Sequence, residues 1–273
     1  MKLIPKKSLG QHFLTSKHVL EQIIAAADIQ KEETVLEIGP GTGILTEALL
    51  QTGANVIAVE KDDRAQVFLT IKFDKEIRDG RLKLIHGDIL DDKIMSSFNE
   101  PIINGSFALV ANIPYYITGA ILQRFLEGEP RPNRMILLIQ KEVAERIVSK
   151  NTTGSDGNDK ESILSISVKA FGMPKIVASV PKGAFSPPPT VDSAILSITN
   201  ISKERFTDKD VEVSRFFNIV RAGFAHKRKL AVRNLETVIP TEKLAKIWNK
   251  MRLDMKIRAE DISLEQWFEI CRG

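Results

Sequence analysis

Cysteine is almost missing from this 273-residue chain, whose one example is Cys271. A disulfide framework is therefore excluded, as is a metal site built on cysteines, and no metal is expected. A lone thiol suits a reducing compartment. Tyrosine is nearly as scarce, and its two examples stand side by side as Tyr115-Tyr116. No apolar run approaches the length of about eighteen residues that would span a bilayer, so no membrane partner is expected. The start, Met1-Lys2-Leu3-Ile4-Pro5-Lys6-Lys7, is basic but leads into neither an apolar stretch nor a cleavage site, so a cytoplasmic location is expected rather than a secretion signal. What is present, 43% hydrophobic and 27% charged residues, is the composition of a globular protein. The length allows one large α/β domain or an ordinary one with a smaller companion.

The net charge of +4 conceals an asymmetry. From Arg215 to Arg258 there are twelve Lys and Arg against three acids, a surplus of +9, while the remainder carries 27 bases and 32 acids, or −5. A basic segment on a mildly acidic body suits a polyanionic partner, with nucleic acid the first candidate. Taken alone, such a run fits a solvated helix face better.

Short β-branched runs alternate with helical patterns along the first half. Strands are expected at 34–38, 55–59, 82–85, 107–110 and 134–139. Helices are expected at 42–51, from 62, at 118–127 and at 141–149. This alternation predicts a parallel sheet covered on both faces. The polar stretch 151–160 reads as an exposed loop. The runs 162–171, 176–180 and 191–198 have no crossover helix between them and read as strands continuing the sheet in antiparallel fashion. From 202 onward Phe216, Phe217, Val220 and Phe224, then Leu244, Ile247, Trp248 and Met251, recur at helix spacing. Two domains are expected, at 1–201 and 202–273, the second small, helical and basic.

The chemistry collects at strand ends. The first strand runs into Glu37-Ile38-Gly39-Pro40-Gly41-Thr42-Gly43, a turn in which a ligand can approach backbone N–H groups and a helix N-terminus. A pyrophosphate fingerprint would need glycine at position 44, which is Ile. The second strand ends in Glu60, suited to accepting from ribose hydroxyls, and the third leads to Asp88, suited to accepting from an exocyclic amine. The fourth ends in Asn112-Ile113-Pro114-Tyr115. Each acid alone fits a helix cap or a solvated turn. Four such ends along one sheet edge suit a nucleoside-bearing cofactor.

These segments resemble a known family. E-I-G-P-G-T-G, V-E-K-D, G-D-I-L and N-I-P-Y are similar to successive motifs of S-adenosyl-L-methionine-dependent methyltransferases, and N-I-P-Y resembles their adenine-N6 branch. The stretches 7–14 (K-S-L-G-Q-H-F-L), 140–147 (Q-K-E-V-A-E-R-I), 185–193 (F-S-P-P-P-T-V-D-S) and 224–235 (F-A-H-K-R-K-L-A-V-R-N-L) extend the resemblance over essentially the whole chain. It is to the small-subunit rRNA adenine N6-dimethyltransferases, which modify two neighbouring adenosines near the 3′ end of that rRNA. The resemblance implies a Rossmann-like methyltransferase sheet, mostly parallel with antiparallel last strands, plus a small all-α C-terminal domain. It also implies a monomer acting on the small ribosomal subunit and its rRNA.

Carried onto this sequence, the resemblance places cofactor contacts at Gln11, His12, Leu14, Gly39, Gly41, Gly43, Glu60, Lys61, Asp88, Ile89 and Asn112. His12 stands where Asn is commoner, and Glu161-Ser162 where a Tyr-Gly-like pair usually stands. Asn112 and the Ile113 carbonyl are expected to accept from adenine N6, Pro114 to stiffen the backbone, Tyr115 to stack on the base, and Tyr116 to pack behind the site. Phe185 is either a second wall for the base or a packed loop anchor. Arg221, Lys227, Arg228, Lys229 and Arg233 are expected along one helical stretch, against rRNA phosphates. The rival readings are a large-subunit rRNA adenine methyltransferase of the macrolide-resistance type, which shares N-I-P-Y, and a largely non-catalytic subunit-assembly factor.

Overall fold

The computed structural model describes residues 3–6, 10–98, 102, 107–149 and 160–273. Its first elements are a two-residue strand, β1 (Phe13–Leu14), and α1 (Lys17–Ala27), which the sequence reading leaves unassigned. Ser16 caps α1 by accepting a hydrogen bond from the Val19 N–H, and the buried Val19, Ile23 and Ala27 lie along one face. Strand and helix then alternate: β2 (Thr34–Ile38), α2 (Ile44–Gln51), β3 (Asn55–Glu60), α3 (Asp63–Lys72), the short α4 (Asp74–Arg78), β4 (Leu82–His86), α5 (Asp92–Ser96) and β5 (Ala108–Asn112). A single 3-10 turn over Tyr115–Ile117 leads into α6 (Thr118–Glu127), β6 (Arg134–Gln140) and α7 (Lys141–Val148). The five strands start within a residue of their expected positions and end within two. β2 is buried at every position, as a strand covered on both faces must be.

α8 (Ile163–Phe171) corrects the first of the three runs read as terminal strands. Ser162 and Ser165 form a reciprocal capping box that starts a helix. Six of its nine residues are buried, so the apolar run is nearly continuous and hides its helical period. The other two runs are strands, β7 (Met173–Val180) and β9 (Ser193–Thr199), with the two-residue β8 (Phe185–Ser186) between them. The sheet order is β4-β3-β2-β5-β6-β9-β7, parallel from β4 to β6 and antiparallel for β9 and β7, while β1 pairs with β8 in a separate two-stranded ladder. This is the expected mixed sheet. The polar stretch 151–160 lies, apart from Lys160, outside the described residues, as do Lys7, Ser8 and Leu9.

Five helices complete the chain: α9 (Glu204–Asp208), α10 (Val213–Gly223), α11 (Ala231–Leu235), α12 (Thr241–Met251) and α13 (Leu264–Arg272). By its contacts the chain divides into Met1–Ala144 with Met173–Ile201, which holds the sheet, and Glu145–Gly172 with Ser202–Gly273. The helical unit is therefore larger than 202–273, because α8 belongs to it. Phe171 packs on Phe206 and Phe217 with ring centroids 4.9 and 5.8 Å apart, and Phe216 and Phe268 extend the aromatic cluster. The segment is also closed by charge: Lys169 Nζ donates to both oxygens of the buried Glu161, at 2.8 and 3.0 Å, and to the Ser149 carbonyl. Cys271 is buried here, and burial pushes its thiol up to about 12, with Arg215 opposing. No helix among the described residues is long and apolar enough to cross a membrane.

Gly223 ends α10 against the Trp267 indole, where a Cβ would stand 2.3 Å from the ring. Gly223→Ala is expected to destabilise the protein by about 1–3 kcal/mol through overpacking, read as a lower urea midpoint with an unchanged m-value.

Candidate active site

The order in which successive strands are added reverses between the parallel β2 and β5, the place where an open α/β sheet leaves a crevice beyond its strand ends. Ile38 and Ala111 are register partners there, so the glycine turn and Asn112 leave the sheet side by side. On the other flank Glu60 pairs in register with His86, which brings Asp88 to the same edge as Glu60. One pocket lies over these ends, lined by residues of the sheet-bearing unit alone. Every expected cofactor and catalytic residue except Gly43 lines it.

The three glycines divide their work. Gly39 sits at φ +66°, and nothing lies within 4 Å of where its Cβ would be, so its backbone is open to a ligand. Gly43, at φ +74°, caps α2, and a Cβ there would stand 2.6 Å from the Phe73 ring. Its smallness serves packing, and it does not line the pocket. Gly41 donates its N–H to Glu60 Oε2 at 3.0 Å, while Asp62 N–H donates to Oε1 at 2.8 Å. Burial raises the Glu60 carboxyl above its ordinary value although these backbone donors oppose it.

Asp88 accepts from Lys61 Nζ at 2.7 Å and from the Leu90 N–H at 3.0 Å. Burial works to raise its carboxyl, but these bonds outweigh it and hold it below the ordinary value. Gln11 links the N-terminal segment to α3, donating to Asp62 Oδ2 at 3.1 Å and accepting from the Lys6 N–H at 2.8 Å. Leu14 and Phe185 are register partners across the β1–β8 ladder and both are buried. Phe185 thus anchors its loop in the core while also lining the pocket. Two carboxylates at neighbouring strand ends, the open face of Gly39 and the apolar Ile89 fit a nucleoside-bearing cofactor. Glu60 would hold its ribose, and Asp88 with Ile89 its base.

The Asn112 side chain is oriented by a single bond, Nδ2 donating to the His12 carbonyl at 3.1 Å. Its Oδ1 is thereby left as an acceptor. The neighbouring Ile113 N–H donates to Leu138 O at 3.3 Å, and among the described residues no donor is bound to the Ile113 carbonyl. Of the two tyrosines, Tyr115 lines the pocket and Tyr116 departs from its expected place. Tyr115 is partly buried, with its hydroxyl 2.7 Å from Ser193 Oγ, and burial raises its phenol above the ordinary value. Tyr116 is 66% exposed at the pocket mouth rather than packed behind the site.

The expected phosphate contacts occupy a different setting. Arg221 lies near the end of α10, but Lys227, Arg228 and Lys229 are exposed in the turn between α10 and α11. Arg233 lies on α11, 3.2 Å from Glu236 Oε2. Three of the five are therefore loop-borne and the set does not share one helical stretch, because the chain after Gly223 turns. Asn234, buried, closes that turn by donating to Gly223 O at 2.6 Å and His226 O at 3.2 Å. Among the described residues no group of three or more His, Cys, Asp or Glu is placed to hold a metal ion.

Glu37 is the pocket residue that the site assignment missed, although it opens the glycine motif. It is buried, accepts from Thr46 Oγ1 at 2.7 Å, and is pushed up to about 8, chiefly by burial, with the Glu60 charge adding to it. An acid raised in the folded state stabilises fully below its unfolded value near 4.5 and loses that contribution as pH climbs through about 8. Glu37→Gln keeps an acceptor for Thr46 without a charge. The wild type is therefore expected to lose stability relative to Glu37→Gln between pH 5 and pH 8, in parallel urea titrations.

The family model for ribosomal RNA adenine dimethylase matches residues 4–272. A relative from Dehalococcoides mccartyi named ribosomal RNA small subunit methyltransferase A is 42% identical over 268 residues, covering 97% of this chain and 87% of its own. A solved dimethyladenosine transferase from Plasmodium falciparum matches with a TM-score of 0.74 and 26% identity, covering 95% of this chain and 96% of that one. The 23S rRNA methyltransferase ErmE shares the fold, with a TM-score of 0.69, 24% identity, and coverage of 95% and 98%. With the crevice, the carboxylates and the Asn-Ile-Pro-Tyr strand end in place, the chain belongs to the ribosomal RNA adenine dimethylase family.

Proposed function

We propose that this protein transfers methyl groups from S-adenosylmethionine to the N6 amines of two adjacent adenosines near the 3′ end of small-subunit rRNA, during maturation of that subunit. The observation that carries the reading is the orientation of Asn112, which spends its amide donor on His12 and keeps an oxygen for the substrate. An exocyclic adenine amine is a weak nucleophile because its lone pair is delocalised into the ring. Accepting its two hydrogens at Asn112 Oδ1 and Ile113 O favours the tetrahedral geometry that frees the lone pair. Pro114 keeps the strand from continuing past that carbonyl.

When bound, S-adenosylmethionine supplies an electrophilic methyl group on a sulfonium. The chain's own part is then orientation, which can lower a barrier by roughly 7–11 kcal/mol. Asn112 is neutral and accepts from the amine without neutralising the adjacent sulfonium. The target base must leave its stack to enter the pocket, and a ring such as Tyr115 offsets that by about 1–3 kcal/mol. The bond to Ser193 holds the Tyr115 ring in place.

The sheet-bearing unit is read as the catalytic domain, and the helical unit, with its exposed Lys227-Arg228-Lys229 turn, as the rRNA-binding domain. The names of the relatives support the small subunit over the large. The protein is read as a monomer acting in the cytoplasm.

Asn112→Ala and Glu60→Ala are each expected to abolish methyl transfer to undermethylated small subunits while leaving subunit binding intact. Mass mapping of the methylated nucleotides reads both, and methylation confined to large-subunit rRNA would overturn the choice of substrate. Replacing Lys227, Arg228 and Lys229 together by Ala is expected to weaken RNA binding and flatten its salt dependence by about 2–3 units of slope, at roughly 0.7–0.9 per lost phosphate contact.

A further inference from the structure

We infer that His12 is a positioning residue for methyl transfer, acting through Asn112: its imidazole N–H fastens the N-terminal segment to the proline loop, and its carbonyl then fixes which way the Asn112 carboxamide faces. The inference rests on the reading of Asn112 as the acceptor for the substrate amine. It assigns the His12 imidazole to the chemistry of the target base and leaves the expected cofactor contact to the backbone of that residue.

Three contacts converge on this residue. Its Nδ1 lies 2.8 Å from the Pro187 carbonyl. A carbonyl oxygen can only accept, so Nδ1 carries the hydrogen and donates. Its own carbonyl accepts from Asn112 Nδ2 at 3.1 Å. Its ring lies nearly parallel to that of Tyr115, with centroids 6.1 Å apart and planes inclined by 23°.

The β1–β8 ladder explains why a side chain is needed. Among the described residues two register pairs, Phe13 with Ser186 and Leu14 with Phe185, join these segments, and beyond Leu14 the Thr15 N–H and hydroxyl donate to the Ala184 carbonyl at 2.8 and 3.0 Å. The next position along the ladder faces Pro187, which has no N–H to give. The His12 imidazole extends the ladder at this end by donating to the Pro187 carbonyl. Without it residue 12 is held only through its neighbours, Gln11 on Asp62 and Phe13 on Ser186, and the carbonyl that holds Asn112 is placed less tightly. A carboxamide is nearly symmetric in shape, and rotation about its last bond would exchange an acceptor for a donor facing the amine. The bond to His12 O opposes that exchange.

Two substitutions separate the donor from the ring. His12→Phe keeps an aromatic ring beside Tyr115 and removes the donor. His12→Asn removes the ring but restores a donor, because Asn Nδ2 and His Nδ1 are both attached to Cγ. His12→Phe is expected to lower kcat by roughly 10- to 100-fold, the scale of a misplaced reacting group. S-adenosylhomocysteine affinity by calorimetry should stay within about twofold of wild type, since the inference places no cofactor contact on the imidazole. His12→Asn is expected to recover most of kcat. Wild-type kcat in His12→Phe, or failure of His12→Asn to recover it, would overturn the inference. So would a cofactor affinity that falls in step with kcat, which would make the His12 imidazole a cofactor contact. Asn112→Ala, assayed alongside, keeps the two readings apart. An active Asn112→Ala defeats the site assignment itself, whereas an inactive one with an unaffected His12→Phe defeats only the role of His12.

Discussion

The pairing of β2 with β5 is the constraint on which the site depends. These two strands are distant in sequence, and their parallel alignment sets Ile38 against Ala111 in the buried centre of the sheet. From that pair the chain leaves in two directions, into the glycine turn and into Asn112-Ile113-Pro114. Cofactor and target must meet with their reacting atoms in line, and a loop on its own could not hold that relation. Two central strands, each buried on both faces and joined by backbone hydrogen bonds, can. The variable chemistry is then carried by residues just past the strand ends, where the backbone no longer has to serve the sheet.

Carboxylates at the same edge are treated unequally. Glu60 is buried and receives two backbone N–H groups, Asp88 is partly exposed and tied to Lys61, and Glu37 lies deepest and is raised furthest. Three acids within one crevice would repel a fourth negative group and one another if all were fully ionised. Burial of Glu37 lets one of them hold its proton over part of the neutral range, which limits the charge that collects around a cationic cofactor. The more exposed Asp88 stays ionised and available as an acceptor.

Most of the sheet was legible in the sequence because its strands are short, β-branched and bounded by turns. The catalytic strand end was legible for a related reason: Asn-Ile-Pro-Tyr breaks the pattern that precedes it. What was not legible came from surroundings. α8 reads as a strand because its neighbours cover almost its whole circumference, and only the Ser162–Ser165 box gives it away. The Tyr115 hydroxyl is held by Ser193, nearly eighty residues on, which adjacency in sequence cannot reveal. Gly43 belongs to the motif by spacing, yet its demand comes from Phe73 packing behind it. The basic cluster was placed on a helix by counting charges, whereas Asn234, buried and uncharged, shapes the turn that presents it.

The placement of α8 also bears on how the protein is made. Its buried face, including Phe171, is finished by Phe206, Phe217 and Phe268, the last almost a hundred residues further along the chain. At synthesis rates of roughly 5–20 residues per second, α8 emerges about 5–20 s before its last partner. The strands β7 and β9 emerge in that interval and can close the sheet without it. During translation, then, the strands that carry the site are all present while one apolar helix still waits for its cover.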